Sequence, residues 1–159
     1  MDPREPGFWA RVGIAILSAS LIGIERQLRG KPAGIRTSIL VCLGTMVFVR
    51  LGVELQVGAS DPARVLGQVV TGIGFLGAGV ILTRGGLVQG VTSAAVIWVL
   101  AGIGSLIGVD RYAGGLALAL VTVAVLVGVQ ALEKGFLALR RGVHTHENAP
   151  PSDDENQDD

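Results

Sequence analysis

Five apolar runs, separated by short polar stretches, order this sequence: Phe8–Ile24, Ile35–Val53, Val65–Leu82, Val91–Val109 and Ala113–Leu132. Each holds 17 to 20 residues, enough as an α-helix to cross ~30 Å of hydrocarbon. The breaks carry helix-ending and helix-starting chemistry. Asp61-Pro62 reads as an N-cap followed by proline at the first helical position. Thr83-Arg84-Gly85-Gly86 reads as a helix stop with turn residues. The pattern predicts an all-α integral membrane bundle of about five transmembrane helices over residues 1–141. Residues 142–159 follow as a disordered acidic tail.

Composition agrees. Half of the 159 residues are hydrophobic, 16% are charged and 4% aromatic, and 24 are glycine. Soluble chains average about 25% charged residues and about 7% glycine. The net charge of zero hides an asymmetry. Residues 1–141 carry all thirteen Lys and Arg with seven acids, a net +6, and the six remaining acids lie beyond Arg141. That tail, ENAPPSDDENQDD, has almost nothing to bury and reads as solvated. The lone Cys42 lies in an apolar run and can form no disulfide within the chain, so it reads as a packing residue. No signal-peptide cleavage pattern stands out near the N-terminus.

Short cytoplasmic loops of membrane proteins are enriched in Lys and Arg. If the loop after the first run is cytoplasmic, the inner segments hold eight basic residues, with Arg26, Arg29, Lys31 and Arg36 as the densest block, against five outside. The N-terminus is then outside and the C-terminus cytoplasmic. Trp9 and Tyr112 fall at the outer interface.

The run GIGFLGAG (72–79) contains the spacing G-x-G-x-x-G of a dinucleotide loop. That loop lies between a strand and a helix and needs an acid about 20 residues on. Here the glycines lie inside an apolar run and no acid follows until Asp110. The reading that remains is close helix packing in lipid. Gly67, Thr71, Gly74 and Ala78 share one helical face, Gly72 and Gly79 a neighbouring one, and Gly77 lies among them. Small residues on several faces predict a central helix.

Three polar constellations remain. Glu25, Arg26, Arg29 and Arg36 surround the first inner turn. Topology accounts for the cations but gives no reason for the carboxylate, which Arg29 at i+4 and Arg36 are placed to meet. Asp61, Arg64 and Gln68 share one face of the third run. There Gln68 reads either as interhelical hydrogen-bonding glue or as part of a polar cavity entrance. Thr92 and Ser93 open the fourth run as local caps, with Trp98 beyond them as a packing anchor. No acid lies in the middle of a run and the two histidines, His144 and His146, lie in the tail. A carboxylate cage for Mg²⁺ or Ca²⁺ and a Ser-His-Asp triad are therefore both missing. No catalytic role, cofactor, resident metal or nucleic-acid partner is expected.

The stretches LIGIERQLRGKPAGIRTSILVCLG (21–44), DPARVLGQVVTGIGFLGAGVIL (61–82) and GVTSAAVIWVLAGIGSLIGVDRY (90–112) resemble the membrane domain of the MgtC/SapB family, in the family's order. The resemblance implies a bacterial inner-membrane protein linked to growth when Mg²⁺ is scarce and, in some pathogens, to survival inside host cells. It implies a regulator that restrains another membrane complex, the F-type ATP synthase, rather than a Mg²⁺ transporter; the residues themselves leave a small-ion transporter or channel, with Asp61, Arg64 and Gln68 at its mouth, as the alternative. It carries over Glu25, Arg26, Arg29 and Arg36; Asp61, Arg64 and Gln68; Gly72, Gly74, Gly77 and Gly79; and Thr92 and Trp98. Two departures stand out. Gln89 occupies a position that is basic in many members. Longer members add a soluble domain after the last span, whereas 27 residues follow Leu132 here. Besides the bilayer, the glycine faces make a second copy of the chain a plausible partner.

Overall fold

A computed structural model describes residues 2–55, 62–84 and 87–143. The chain divides into two compact units, Met1–Ala124 and Val125–Asp159. The first contains α1 (Pro6–Leu28), α2 (Ile35–Glu54), α3 (Pro62–Gly79), a hairpin of β1 (Leu82–Arg84) and β2 (Leu87–Gln89), and α4 (Val91–Gly108). It also holds the start of α5 (Tyr112–Val143), whose remainder, from Val125, is the described part of the second unit.

Local chemistry sets the boundaries. Pro6 opens α1 after an extended Glu5, where the missing N–H costs no helical bond. The helix closes on Gly30 at φ +59°, with Gly30 N–H donating to Gln27 O and Lys31 N–H to Arg26 O. Gly90, at φ +91°, turns the chain from β2 into α4, and a Cβ there would collide with Val80 O. Only glycine meets both demands.

Helix directions follow from backbone contacts. Gly104 and Gly108 of α4 lie against Cys42, Thr45 and Met46 of α2, so these helices run parallel. Gly23 of α1 abuts Ile35 of α2, where a Cβ would stand 2.6 Å from the Ile35 Cα, and α1 runs antiparallel to it. α3 also runs antiparallel to α2, with Gly52 against Val65, and meets α4 where Gly77 faces Ala94 and Trp98. The core gathers Ala15, Ala19 and Ile22 from α1, Cys42 and Met46 from α2, and Ile97, Leu100, Ile103 and Ile107 from α4.

Four helices are long and apolar enough to cross a membrane: Pro6–Leu28, Ile35–Glu54, Val91–Gly108 and Tyr112–Leu132. The chain is an all-α, multi-pass membrane protein. α3 is the fifth helix. Its 18 residues reach ~27 Å, but Arg64, Gln68 and its glycines lower its hydropathy.

Two details differ from the sequence reading. The third run was taken to Leu82, but the helix ends at Gly79 and Leu82 enters the hairpin, paired with Gln89. The flanking runs Leu82–Arg84 and Leu87–Gln89 can pair across the intervening Gly-Gly, which lies outside the described residues. The central helix is α4, not α3: the α4 span is 56% buried, whereas among the described residues of α3 only Ile73 and Gly77 are buried. α4 is apolar nearly all round, the pattern of a helix packed on every side. Its glycines let the α2 backbone approach.

Candidate functional site

The end of α1 and the starts of α2 and α4 build a buried charged cluster. Glu25 and Arg26 retain 8% and 2% of their exposure. Glu25 is ion-paired with Arg29, one turn on, at 2.8 Å. Arg26 turns the other way. Its Nη2 donates to Ser93 Oγ of α4 and, at 3.4 Å, to Pro32 O in the following turn. One guanidinium thus ties α1 to the start of α4, a link between residues 67 positions apart. Arg26 Nε and Ser18 Oγ are buried without a hydrogen bond, and the Glu25 oxygens gain none beyond the ion pair. Ser93 therefore serves as an acceptor for Arg26 and makes no side-chain cap at Gly90. Arg36, on the first turn of α2, is exposed and makes no ion pair among the described residues. Thr92 is exposed, and Trp98, 46% exposed, lies against Gly77.

The second constellation is not assembled within one chain. Asp61 lies outside the described residues. Arg64 and Gln68 are both exposed on α3, and no hydrogen bond from the described residues reaches Gln68. Gln68 instead lines a groove of about 560 Å³ between α2 and α3, with Leu40, Gly44, Phe48, Gly72 and Leu76. Among the described residues, Gly77 alone of the α3 glycines has a neighbour against the place of a Cβ. A Cβ at Gly67, Gly72, Gly74 or Gly79 would meet nothing within 4 Å, and Thr71 and Ala78 are exposed beside them. The small residues of α3 face outward from this chain because α4 takes the central place.

The opposite end holds a network the sequence reading did not assemble. Asp110, in the turn between α4 and α5, accepts from Arg11 Nε at 2.7 Å and from Arg11 Nη2 at 3.3 Å. It also accepts from Arg50 Nη1 at 2.9 Å and from the Tyr112 hydroxyl at 2.6 Å. Arg50 in turn donates to Glu54 at 2.7 Å. Four helices are joined by one carboxylate. The Arg11 hydrogen bond, more than any other contact, holds the Asp110 carboxyl below its ordinary range, against the opposing effect of partial burial. Arg11 and Arg50 each lie near the end of an apolar run, and nothing local in the sequence pairs them with Asp110. The available signal was topological: with alternating helix directions, residues 11, 50, 110 and 112 all fall at one end.

Between these two charged ends the described core is mostly aliphatic, with Ala15, Ala19, Ile22, Met46, Leu100 and Ile103 fully buried. The described residues contain no group of three or more His, Cys, Asp or Glu placed to hold a metal ion.

A family model described as the MgtC family matches residues 12–135. Among curated relatives, YhiD of Escherichia coli (strain K12), named as a candidate magnesium transporter, is 41% identical over 126 residues, covering 75% of this chain and 59% of the relative. Protein MgtC of Brucella abortus (strain 2308) is 42% identical over 134 residues, 80% of this chain and 54% of the relative. Protein MgtC of Salmonella typhimurium (strain 14028s / SGSC 2262) is 45% identical over 103 residues, 65% of this chain and 44% of the relative. The chain spans about half the length of these relatives. No solved structure matches.

Proposed function

Because this chain belongs to the MgtC family, we propose that it is a non-catalytic regulator of the bacterial inner membrane, linked to growth under magnesium limitation, that acts by binding another membrane complex. The observation that carries this reading is the uncovered face of α3 with its adjoining groove. Glycines with no described neighbour, and a Gln68 that no described residue bonds, are poorly matched to lipid. Small residues serve the approach of another backbone, and an amide in hydrocarbon needs a partner. The described core between the two charged ends is mostly aliphatic, which fits a binding protein better than an ion pathway. The F-type ATP synthase is the candidate partner that the family resemblance suggests. In this reading the cluster of Glu25, Arg26, Arg29 and Arg36 is cytoplasmic, the Asp110 network is external and the N-terminus is outside. Arg26 then fixes the inner ends of α1 and α4 in the arrangement that presents α3.

A deletion strain compared with its complemented parent at scarce and ample Mg²⁺ tests the proposal, with growth, cellular ATP and total Mg²⁺ followed together. A regulator alters ATP at low Mg²⁺ while leaving Mg²⁺ content unchanged. Pull-down of the tagged protein in mild detergent must also return another membrane complex. A fall in Mg²⁺ content that precedes any change in ATP would instead favour cation transport, the reading that the name of the Escherichia coli relative supports. Liposome flux with the purified protein then decides it.

A further inference from the structure

We propose that the end of the bundle where α2 and α4 begin holds a binding site for a phosphate group, built from Arg26 and the uncapped first turn of α4. The group belongs either to the headgroup of an anionic phospholipid or to free phosphate in solution, and the recognition chemistry is the same for both.

Three observations meet at this place. The first is Arg26, which is 2% exposed while its Nε–H has no hydrogen bond among the described residues. Its neighbour Glu25 is paired with Arg29 instead. Membrane topology rewards cations that stay in water, and gives no reason to bury one with a donor unused. The aim of that donor follows from the planar guanidinium, in which Nε–H lies on the same edge as Nη2. Nη2 donates to Ser93 Oγ on the first turn of α4 and to Pro32 O just ahead of α2, so the idle Nε–H faces the two helix starts. The second observation is the start of α4 itself. Gly90 supplies no side-chain cap, and the first amide to find a backbone carbonyl is that of Ala94, which donates to Gly90 O. The N–H groups of Val91, Thr92 and Ser93 have no partner among the described residues. α2 begins at the same end, also without a side-chain cap, so the positive ends of two parallel helix dipoles coincide. The third is charge. Arg26, Arg29, Lys31 and Arg36 stand against one acid between residues 25 and 36, and Arg29 already holds that acid.

A phosphate group supplies what is missing, negative charge and several acceptor oxygens in one tetrahedral unit. It can take Arg26 Nε–H and the first amides of α4 together, whereas a planar carboxylate has two oxygens and serves one set or the other. Pro32, Val91 and Thr92 are exposed, which leaves the approach open, and Arg36 on the first turn of α2 adds attraction. Bound there, the group braces the link between α1 and α4 that Arg26 makes, so occupancy registers as stability.

The test follows the thermal midpoint of the full chain in dodecylmaltoside micelles during titration with inorganic phosphate, phosphatidylglycerol or phosphatidylcholine, with chloride at matched ionic strength as reference. A saturable rise with phosphatidylglycerol alone assigns the site to a lipid headgroup. A saturable rise with inorganic phosphate assigns it to the free ion. Thr92→Asp is the decisive variant. Thr92 is exposed, and a carboxylate at the second position of α4 suits the helix dipole, so the midpoint without added probe should stay the same or rise. That carboxylate occupies and repels the place of the phosphate, so the apparent affinity should fall about tenfold or more. Arg26→Gln should lose the response as well, but with a lower starting midpoint, and Thr92→Asp separates the two effects. The inference is overturned if no phosphate probe gives a saturable rise, if chloride reproduces it, or if Thr92→Asp leaves it intact.

Discussion

Asp110 holds together groups that no other described contact unites, and Asp110→Asn isolates its charge. Asparagine keeps the shape and, like aspartate, tolerates the left-handed backbone that this position adopts at φ +61°. What is lost is the anion between two cations. The Arg11 side chain is 8% exposed and that of Arg50 is 20% exposed, and both stay in place. Removing one partner of a fully buried pair costs about 3–5 kcal/mol. The Asp110 side chain is 43% exposed, so solvent screens part of that cost, and Arg50 keeps its bond to Glu54. Weighing a charge-assisted bond at roughly 1.5–3 kcal/mol against this screening gives a loss of about 2 kcal/mol, some thirtyfold in the folding equilibrium. Asp110→Ala should cost about 1 kcal/mol more, because alanine gains no local hydrogen bond to offset the left-handed backbone. Unfolding in mixed micelles titrated with sodium dodecyl sulfate, followed by tryptophan fluorescence, reads these differences. A cycle with Arg11→Gln isolates the pair. If Asp110→Asn costs less than about 0.5 kcal/mol, or the cycle is additive, the network does not hold these helices together.

The same group sets a pH dependence. Its folded pKa lies below its unfolded value, so its contribution is complete above the unfolded pKa of about 3.9 and is lost as pH falls through the folded value. The acid limb of the unfolding curve should therefore flatten in Asp110→Asn. Arg26→Lys keeps the charge but cannot reach Ser93 Oγ and Pro32 O with one planar group, and should lower stability by about 1–3 kcal/mol in the same unfolding assay. Gly90→Ala meets both a positive φ and Val80 O, so it should cost about 3 kcal/mol and show as reduced protection of the hairpin amides from hydrogen exchange. Gly104→Leu must displace α2 at Thr45, whose Cβ lies 2.9 Å from the new side chain's first atom. Roughly 3 kcal/mol or more is expected, and a neutral result in the thermal midpoint would contradict the α2–α4 packing.

Much of this architecture is legible in the residues, and what is not fails for identifiable reasons. α2 and α4 begin at Ile35 and Val91, where the apolar runs begin, because glycine precedes each and no competing signal intervenes. The pair Glu25 and Arg29 is legible because spacing along one helix fixes it. Arg11, Arg50 and Asp110 come from three elements far apart in the chain, and only helix direction brings them together. The place of α3 was misread for a different reason. Glycine content says that a backbone approaches something closely, but not which backbone. α4 has two glycines against α2 and is apolar nearly all round, so it must be enclosed by its own chain. α3 carries as many small residues but adds Arg64, Gln68 and Thr71, which one chain leaves exposed. A glycine-rich helix whose amide no described residue bonds is marked for contact outside its own chain, and the combination of glycines with Arg64 and Gln68 that sets α3 apart from α4 was present in the residues.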